Sequence, residues 1–224
     1  MTTTADIKRI TRVALQRNPH WILRKQWLIV PPVNHYICGF FFDRTSIAHY
    51  FHPNYRVAPL YEPEFGWGYG ARFETSLGAE YWDMRDGNIE EEVALRCEQE
   101  SARFSCARSL QSFLHYAADF TNTKRQSSLI LTHALMGNPL LAKKILLEKL
   151  FELELEDWYR SQTWSHFKPD LPRVRWRRRL RRLLSILNDG PARVEAFAHT
   201  LERINLHKLD LEKHWTSPWS KRRR

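Results

Sequence analysis

The chain has 224 residues, of which 43% are hydrophobic and 27% charged, and this balance excludes an intrinsically disordered protein. Its longest apolar runs, residues 27–30 and 37–42, are far shorter than the roughly 18 to 20 residues of a membrane span, and the N-terminus lacks the apolar core of a signal peptide. The net charge of +10 is concentrated in residues 169–224, which carry 15 basic and 6 acidic side chains. Such an asymmetry predicts a polyanionic partner.

The cysteine content points to a reducing compartment. Cys38, Cys97 and Cys106 are an odd and sparse set, so a framework of disulfides is not expected. We therefore expect a soluble intracellular protein, located in the cytoplasm or, in a eukaryote, in the nucleus.

Residues 1–87 are predicted to form a short helix and an antiparallel sheet. Thr3 or Thr4 followed by Asp6 is typical of a helix N-terminus, and apolar residues then recur at helical spacing as far as Asn18. Further along, short aromatic and β-branched runs alternate with turn-forming residues, and the prolines are expected at edges and turns. These runs predict a meander of four or five strands, at 21–23, 27–30, 36–42, 49–57 and 69–75.

Residues 88–215 are predicted to be entirely helical, with Asn88 as the first N-cap. Glycine followed by proline marks a stop and restart at Gly137–Pro139 and again at Gly190–Pro191. The apolar spacing predicts helices at 89–118, 127–136, 139–160, 173–188 and 191–214. Residues 216–224 are expected to be a disordered basic tail.

One stretch resembles a known helical hairpin. HALMGNPLLAKKILLEKL, residues 133–150, has Gly137 and Ala142 at the spacing of the turn glycine and close-packed alanine in tetratricopeptide-type hairpins. The resemblance covers about 35 residues. It implies stacked helix hairpins and carries no implication about a ligand.

The helix at 173–188 carries most of the C-terminal charge. Its apolar residues form one stripe that is expected to pack against the last helix, namely Trp176, Leu180, Leu183, Leu184 and Leu187. No acidic residue lies between Asp170 and Asp189, so the arginines cannot be neutralised within the helix. The candidate polyanion-binding residues are its arginines Arg173, Arg175, Arg178, Arg179, Arg181 and Arg182, with Arg175, Arg178 and Arg182 together on the side opposite the stripe.

Two interpretations of these arginines remain open. A guanidinium suits phosphate as well as carboxylate, so the surface could bind DNA or RNA, or an acidic protein. Alternatively, acids of the same chain could neutralise it, with Glu90–Glu92 and the acids at 152, 154, 156 and 157 as candidates.

The sequence contains no recognisable catalytic, metal or cofactor motif. The glycines of FGWGYG, 65–70, match neither a P-loop nor a dinucleotide fingerprint and are interpreted as a turn between strands. His49 and His52 are expected on opposite faces of a strand, which disfavours a shared metal ion. No catalytic residue, metal ligand or cofactor is therefore assigned.

We thus expect an α+β protein with a helix and antiparallel sheet at 1–87, helical hairpins at 88–215 and a tail at 216–224. The favoured function is a non-enzymatic binding or adaptor subunit of a larger assembly, engaging a polyanion, with nucleic acid ahead. The first alternative is a protein–protein adaptor with an acidic partner. The second is an enzyme with an unrecognised site in the N-terminal half.

Overall fold

The protein has the predicted α+β architecture, in which an antiparallel sheet is followed by a helical region. The structure is a computed structural model and describes residues 3–47, 49–63, 68–75, 78–79, 81–118, 120, 126–163 and 171–219. Two compact units are present. The first comprises Met1–Thr121 and Leu201–Arg224, and the second comprises Asn122–Thr200.

These units differ from the division expected at residues 87 and 88. The helices between residue 88 and Ala118 belong to the same unit as the sheet, and the chain returns to that unit after Thr200. The reason is packing, because residues of both segments bury their apolar side chains against the strands.

The N-terminal helical segment is interrupted. Helices α1, Thr4–Ile10, and α2, Arg12–Arg17, replace the single predicted helix at 4–18. Thr3 and Asp6 cap α1 reciprocally, as their spacing predicted: the Thr3 hydroxyl accepts from the Asp6 N–H, and the Asp6 carboxylate accepts from the Thr3 N–H at 2.7 Å.

The sheet is a continuous antiparallel meander. Its strands are β1 Ile22–Arg24, β2 Trp27–Ile29, β3 Tyr36–Arg44, β4 Tyr50–Pro59, β5 Tyr69–Arg72 and β6 Trp82–Asp83. The order is β1-β2-β3-β4-β5, and the short β6 pairs with β4 beside β5. Sequence patterning located the first five strands and missed β6, because two residues are too few to show a period.

Pro53 lies inside the central strand β4 instead of at an edge or turn, which corrects the expectation for this proline. The Pro53 carbonyl accepts from the Phe73 N–H at 3.2 Å. The proline nitrogen, which carries no hydrogen, therefore faces the gap along β4 between the residues that pair with β5 and those that pair with β6. No ladder hydrogen bond is lost there, so the proline is tolerated.

Both faces of the sheet are covered, which explains why β3 is apolar along nearly its whole length. On one face, Phe40 packs against Phe104 with 5.2 Å between ring centroids, and Tyr36 stacks on Phe113 at 4.7 Å. On the other face, Ile37 shares a buried cluster with Leu206 and Leu211 from the C-terminal segment.

The predicted helix at 89–118 is divided into three parts. Helix α3 is Ile89–Ser101, a 3₁₀ helix covers Ala102–Ala107, and α4 is Leu110–Ala118. The Ser101 and Ser105 hydroxyls each donate to the carbonyl three residues earlier, at 2.7 Å. Serine bonds of this kind compete with the regular helical ladder, and they lie where the helix tightens.

The remaining helices follow the predicted stops and restarts. They are α5 Gln126–Leu135, α6 Pro139–Thr163, α7 Leu171–Asn188 and α8 Pro191–Leu209, with a final 3₁₀ turn at Glu212–His214. Gly137 has φ +83°, and α5 packs on α6 with Ala142 fully buried, so the hairpin inferred from residues 133–150 is present.

The C-terminal segment is fastened to the sheet unit by buried polar contacts. The Glu202 carboxylate is fully buried, lies 2.6 Å from His35 Nδ1 and accepts from the Trp219 indole N–H. The Asn205 amide donates to the carbonyls of Leu60 and Glu62, at 2.7 and 3.0 Å. Because a buried carboxylate needs such partners, this cluster fixes where α8 meets the sheet.

Residues 216–219, which were expected to begin a disordered tail, are part of this anchored segment. The Thr216 N–H donates to the Val33 carbonyl at 3.0 Å, and the Trp219 indole contacts Glu202 and the His35 ring. Residues 220–224 of the expected tail lie outside the described residues.

Gly39 is required where β3 pairs closely with β2, and replacing it tests how tightly these strands pack. A Cβ at this position would lie 2.3 Å from the Leu28 carbonyl oxygen and 2.9 Å from the Ile29 Cα, and both are backbone atoms that cannot swing away. We expect Gly39→Ala to lower the free energy of unfolding by about 1 to 3 kcal/mol, measured by urea denaturation. The control is Gly87→Ala, where no atom lies within 4 Å, and an equal loss in both variants would contradict the packing explanation.

Candidate polyanion-binding surface

Helix α7 forms because its sequence is well suited to a helix with one buried stripe. Arginine and leucine both have high helix propensity and make up most of its residues. Leu180, Leu183 and Leu187 lie on one side and are at most 2% exposed. The helix ends before Gly190, whose φ of +97° suits a glycine, and Pro191 then begins α8.

The apolar stripe of α7 packs mainly against α6, whereas the sequence suggested the last helix. The contact between α7 and α8 includes a cation–π pair, in which the Arg182 guanidinium lies 5.7 Å from the centroid of the Phe197 ring. The position of α6 decides the electrostatics, because the second half of α6 is rich in acids.

Three arginines, spaced four residues apart, pair with α6 and are called here the inner arginine row: Arg173, Arg177 and Arg181. Arg173 Nε lies 2.6 Å from Asp157 Oδ1, and Arg177 Nη2 lies 2.7 Å from Asp157 Oδ2. Arg181 Nη2 donates to Glu154 Oε1 at 3.0 Å. The Asp157 side chain is only 11% exposed, so its charge is balanced by two cations instead of by water.

Arg173 also binds the neighbouring Glu156. Its guanidinium donates to the Glu156 carboxylate, and this bond is the main reason why the pKa of Glu156 lies below its ordinary value of 4.5. Arg160, four residues along α6, donates to the other carboxylate oxygen at 2.7 Å. The acids of α6 therefore neutralise the inner row and hold α7 at one rotation about its axis.

Three further exposed arginines lie on the side of α7 that faces away from its buried leucines and are called here the outer arginine face: Arg175, Arg178 and Arg182. All three side chains are exposed, and none forms an ion pair with a carboxylate in the described part of the chain. At 100° per residue, the three lie within about 60° of one another. They extend over about 10 Å along the helix axis, at 1.5 Å per residue.

The six arginines selected from the sequence are thus distributed among three environments. Arg173 and Arg181 lie in the inner row, and Arg175, Arg178 and Arg182 form the outer face. Arg179 is half-buried, with its guanidinium 5.8 Å from the centroid of the Trp176 ring. Arg177, which was not selected, shares Asp157 with Arg173, and the acids at 154, 156 and 157 were the signal that could have found it.

No competing site of recognisable chemistry emerges from the described residues. No group of three or more His, Cys, Asp or Glu is placed to hold a metal ion within them. Burial raises the pKa of the Cys38 thiol to about 12, and raises that of Cys97 as well, so neither thiol is a ready nucleophile near neutral pH. Residues 65–67 of the FGWGYG stretch, which was interpreted as a turn between strands, lie outside the described residues, and Tyr69 and Gly70 begin β5.

The sheet unit contains an open groove of about 640 Å³, lined in part by α4. Ser109, Ser112 and His115 line it, but the two serine hydroxyls bond each other at 2.8 Å, and no hydrogen bond links His115 to either in the described residues. Arg103, the cation of the groove, already pairs with Glu100. The groove therefore shows no paired nucleophile and base.

In the described part of the chain, no helix is both long enough and apolar enough to cross a membrane. Comparisons of the chain with protein-family models, with curated proteins and with solved structures found no match. The functional argument therefore depends on the geometry and charge of α7 and α6 themselves.

Removing the shared carboxylate tests the inner row. Asp157→Asn would leave Arg173 and Arg177 without the anion that balances both, and their side chains are only 13% and 22% exposed. We expect the free energy of unfolding to fall by about 2 to 4 kcal/mol in urea denaturation. Glu152→Gln is the control, because Glu152 is 64% exposed and its pair with Lys149 is worth at most about 1 kcal/mol. Equal effects of the two substitutions would show that Asp157 is not a shared partner.

The lowered pKa of Glu156 predicts a pH dependence with a definite sign. The stabilisation from a depressed carboxylate is fully present above the ordinary pKa of 4.5 and is lost as the pH falls through the lower folded-state pKa. We expect NMR titration of the Glu156 carboxyl carbon to give a pKa below 4.5, and Arg173→Ala to move it upward. An unchanged titration in Arg173→Ala would rule out Arg173 as the main cause.

Proposed function

We propose that this protein is a non-enzymatic binding or adaptor subunit whose outer arginine face engages a polyanion, with nucleic acid as the preferred partner. The observation that carries the proposal is the difference between the two sides of α7. The inner row is neutralised by Glu154, Glu156 and Asp157, whereas the outer face has three exposed arginines with no carboxylate paired to them in the described residues.

Physical chemistry favours phosphate as the ligand. Each guanidinium presents a planar set of donors that matches phosphate oxygens in a bidentate manner, which a lysine cannot do. Each strand of duplex DNA carries one charge per about 3.4 Å of the axis, so the roughly 10 Å of the outer face would meet about three phosphates of one strand. Contacts of this kind position a protein on the backbone and carry little sequence information.

A second candidate is an acidic helix of a partner protein, which would make the protein a protein–protein adaptor. It is favoured by the inner row, where arginines of the same helix already hold carboxylates presented by α6. In either case we place the protein in a reducing intracellular compartment, which is supported by the two free, buried thiols of Cys38 and Cys97.

The test is a salt series of binding measurements with charge-reversed variants. We expect fluorescence anisotropy to show binding of duplex DNA or RNA of unrelated sequences at ~50 mM salt, weakening steeply as salt rises. Replacing Arg175, Arg178 and Arg182 with Glu should weaken binding to every sequence alike and lower the slope of log K against log salt by about 3. The matched control reverses Arg12, Arg85 and Arg193, which are 62% to 66% exposed and distributed along the chain.

The outcomes separate the candidates. If neither nucleic acid binds at ~50 mM salt, where phosphate contacts are strongest, the nucleic-acid proposal is wrong. Equal losses in the outer-face variant and the control would show a general charge effect and no site. Binding of poly-glutamate that depends on the outer face, without binding of nucleic acid, would establish the acidic-protein candidate instead.

A further inference from the structure

Helix α6 is apolar on two sides. One side is buried in its unit and includes Ala142, Leu146, Leu150 and Leu153. Five large apolar side chains on another side are each at least 51% exposed and are called here the α6 stripe: Leu140, Leu147, Phe151, Leu155 and Trp158. Their spacing of 7, 4, 4 and 3 residues places them on one continuous strip of the helix surface.

The α6 stripe needs an explanation because exposed apolar residues on a monomer are normally scattered singly. It extends from Leu140, 81% exposed, to Trp158, 60% exposed, which is about 27 Å at 1.5 Å per residue. Such a strip on a helix 10 to 12 Å wide is about 300 Å² of contact surface. Two copies would together bury about 600 Å², which is the size of a weak, transient interface.

We propose that the α6 stripe is the interface with a second copy of this chain, with the two α6 helices antiparallel and a twofold axis that passes between Leu147 and Phe151, at the level of residue 149 along the helix. The proposal goes beyond the binding of a polyanion and does not depend on it. It is favoured first by the symmetry of the stripe about residue 149. An antiparallel pair centred there would oppose Leu147 to Phe151 of the second copy, and Leu140 to Trp158. Four of the five stripe residues would thus meet an apolar counterpart across the axis, as a self-complementary interface requires, and Leu155 would face Lys143 of the second copy.

Charge complementarity favours the same arrangement. Lys143 and Lys144 lie in the first half of α6, and Glu152 and Glu154 lie in the second half. Antiparallel pairing brings Lys143 beside Glu154 of the second copy on one flank of the stripe, and Lys144 beside Glu152 on the other. A parallel pair would instead place like charges opposite each other.

One like-charge contact arises at the centre, where Glu148 approaches its own copy. Lys144 Nζ lies 3.9 Å from Glu148 of the same helix and offsets this repulsion. Glu154 already pairs with Arg181, so Lys143 would join an existing set of charges and would not have to order a mobile carboxylate.

The flanking charges disfavour a membrane surface as the occupant. Helices that lie on membranes carry lysine and arginine beside their apolar side, where anionic headgroups attract them. The flanks of the α6 stripe carry three acids, Glu148, Glu152 and Glu154, against the two lysines Lys143 and Lys144, so their net charge is negative and anionic headgroups would repel them. A second copy brings its own lysines to these acids, and a lipid surface does not.

Sedimentation velocity on the full chain tests the interface. We expect the weight-average mass to rise from that of one chain toward that of two between about 1 and 100 µM. Replacing Leu147 and Phe151 with Glu should raise the dissociation constant at least tenfold. The control replaces Leu95 and Ile204 with Glu, which are 50% and 45% exposed and lie on other helices. A monomer at all concentrations, or equal weakening by the control, would overturn the proposal.

Cysteine cross-linking tests the direction of the helices, in a Cys106→Ser background. A mixture of Leu140→Cys and Trp158→Cys chains should form a disulfide-linked pair, and either variant alone should not. Self-cross-linking of Leu140→Cys would overturn the antiparallel arrangement. The chain can also be sedimented with vesicles that contain anionic lipid. If it binds them, and if replacing Leu147 and Phe151 abolishes this binding, the α6 stripe binds a membrane and the proposal of a second copy is overturned.

Discussion

The ion pairs of the Asp157 carboxylate determine how charge is distributed over the surface of the helical unit. It is nearly buried between α6 and α7, with one guanidinium at ion-pair distance from each oxygen, from Arg173 and Arg177. A buried anion of this kind is strongly unfavourable unless cations lie beside it, which favours the rotation of α7 that brings both arginines to it. The leucines of α7 would tolerate small rotations of the helix, but this shared carboxylate would not. Which arginines face α6 therefore depends mainly on one acid of that helix.

The same constraint separates the surfaces of α6. Its acids at positions 154, 156 and 157 are directed to α7, and its buried leucines are directed into the unit. Neither role accounts for the large apolar residues on the remaining side. A helix whose only task was to neutralise α7 would carry polar residues there, because exposed leucine, phenylalanine and tryptophan add nothing to that pairing. The apolar side of α6 is the surface that we propose for a second copy of the chain.

Local patterning was sufficient for the α+β class and for most elements, because strands and helices have distinct apolar periods. It failed where long-range contacts decide. Trp219 follows a polar sequence that is typical of a tail, yet Glu202 and His35 hold it against the sheet unit. The 3₁₀ turn around Phe104 likewise depends on serine hydroxyls and on packing against Phe40. For α7, the sequence identified a basic helix but could not show which arginines are neutralised, since this depends on the position of Asp157.

The outer arginine face and the α6 stripe are on different helices of one unit, and this separation has a thermodynamic consequence. A pair of chains joined through α6 would carry two outer faces at a fixed spacing. Once one face is bound to a long polyanion, the second binds as an intramolecular event, and its effective concentration is set by that spacing. Three arginines on one chain make a modest contact, whereas six on a joined pair make a much stronger one without any new residue. Because electrostatic attraction of this kind is additive over phosphates, self-association would increase affinity without adding sequence specificity.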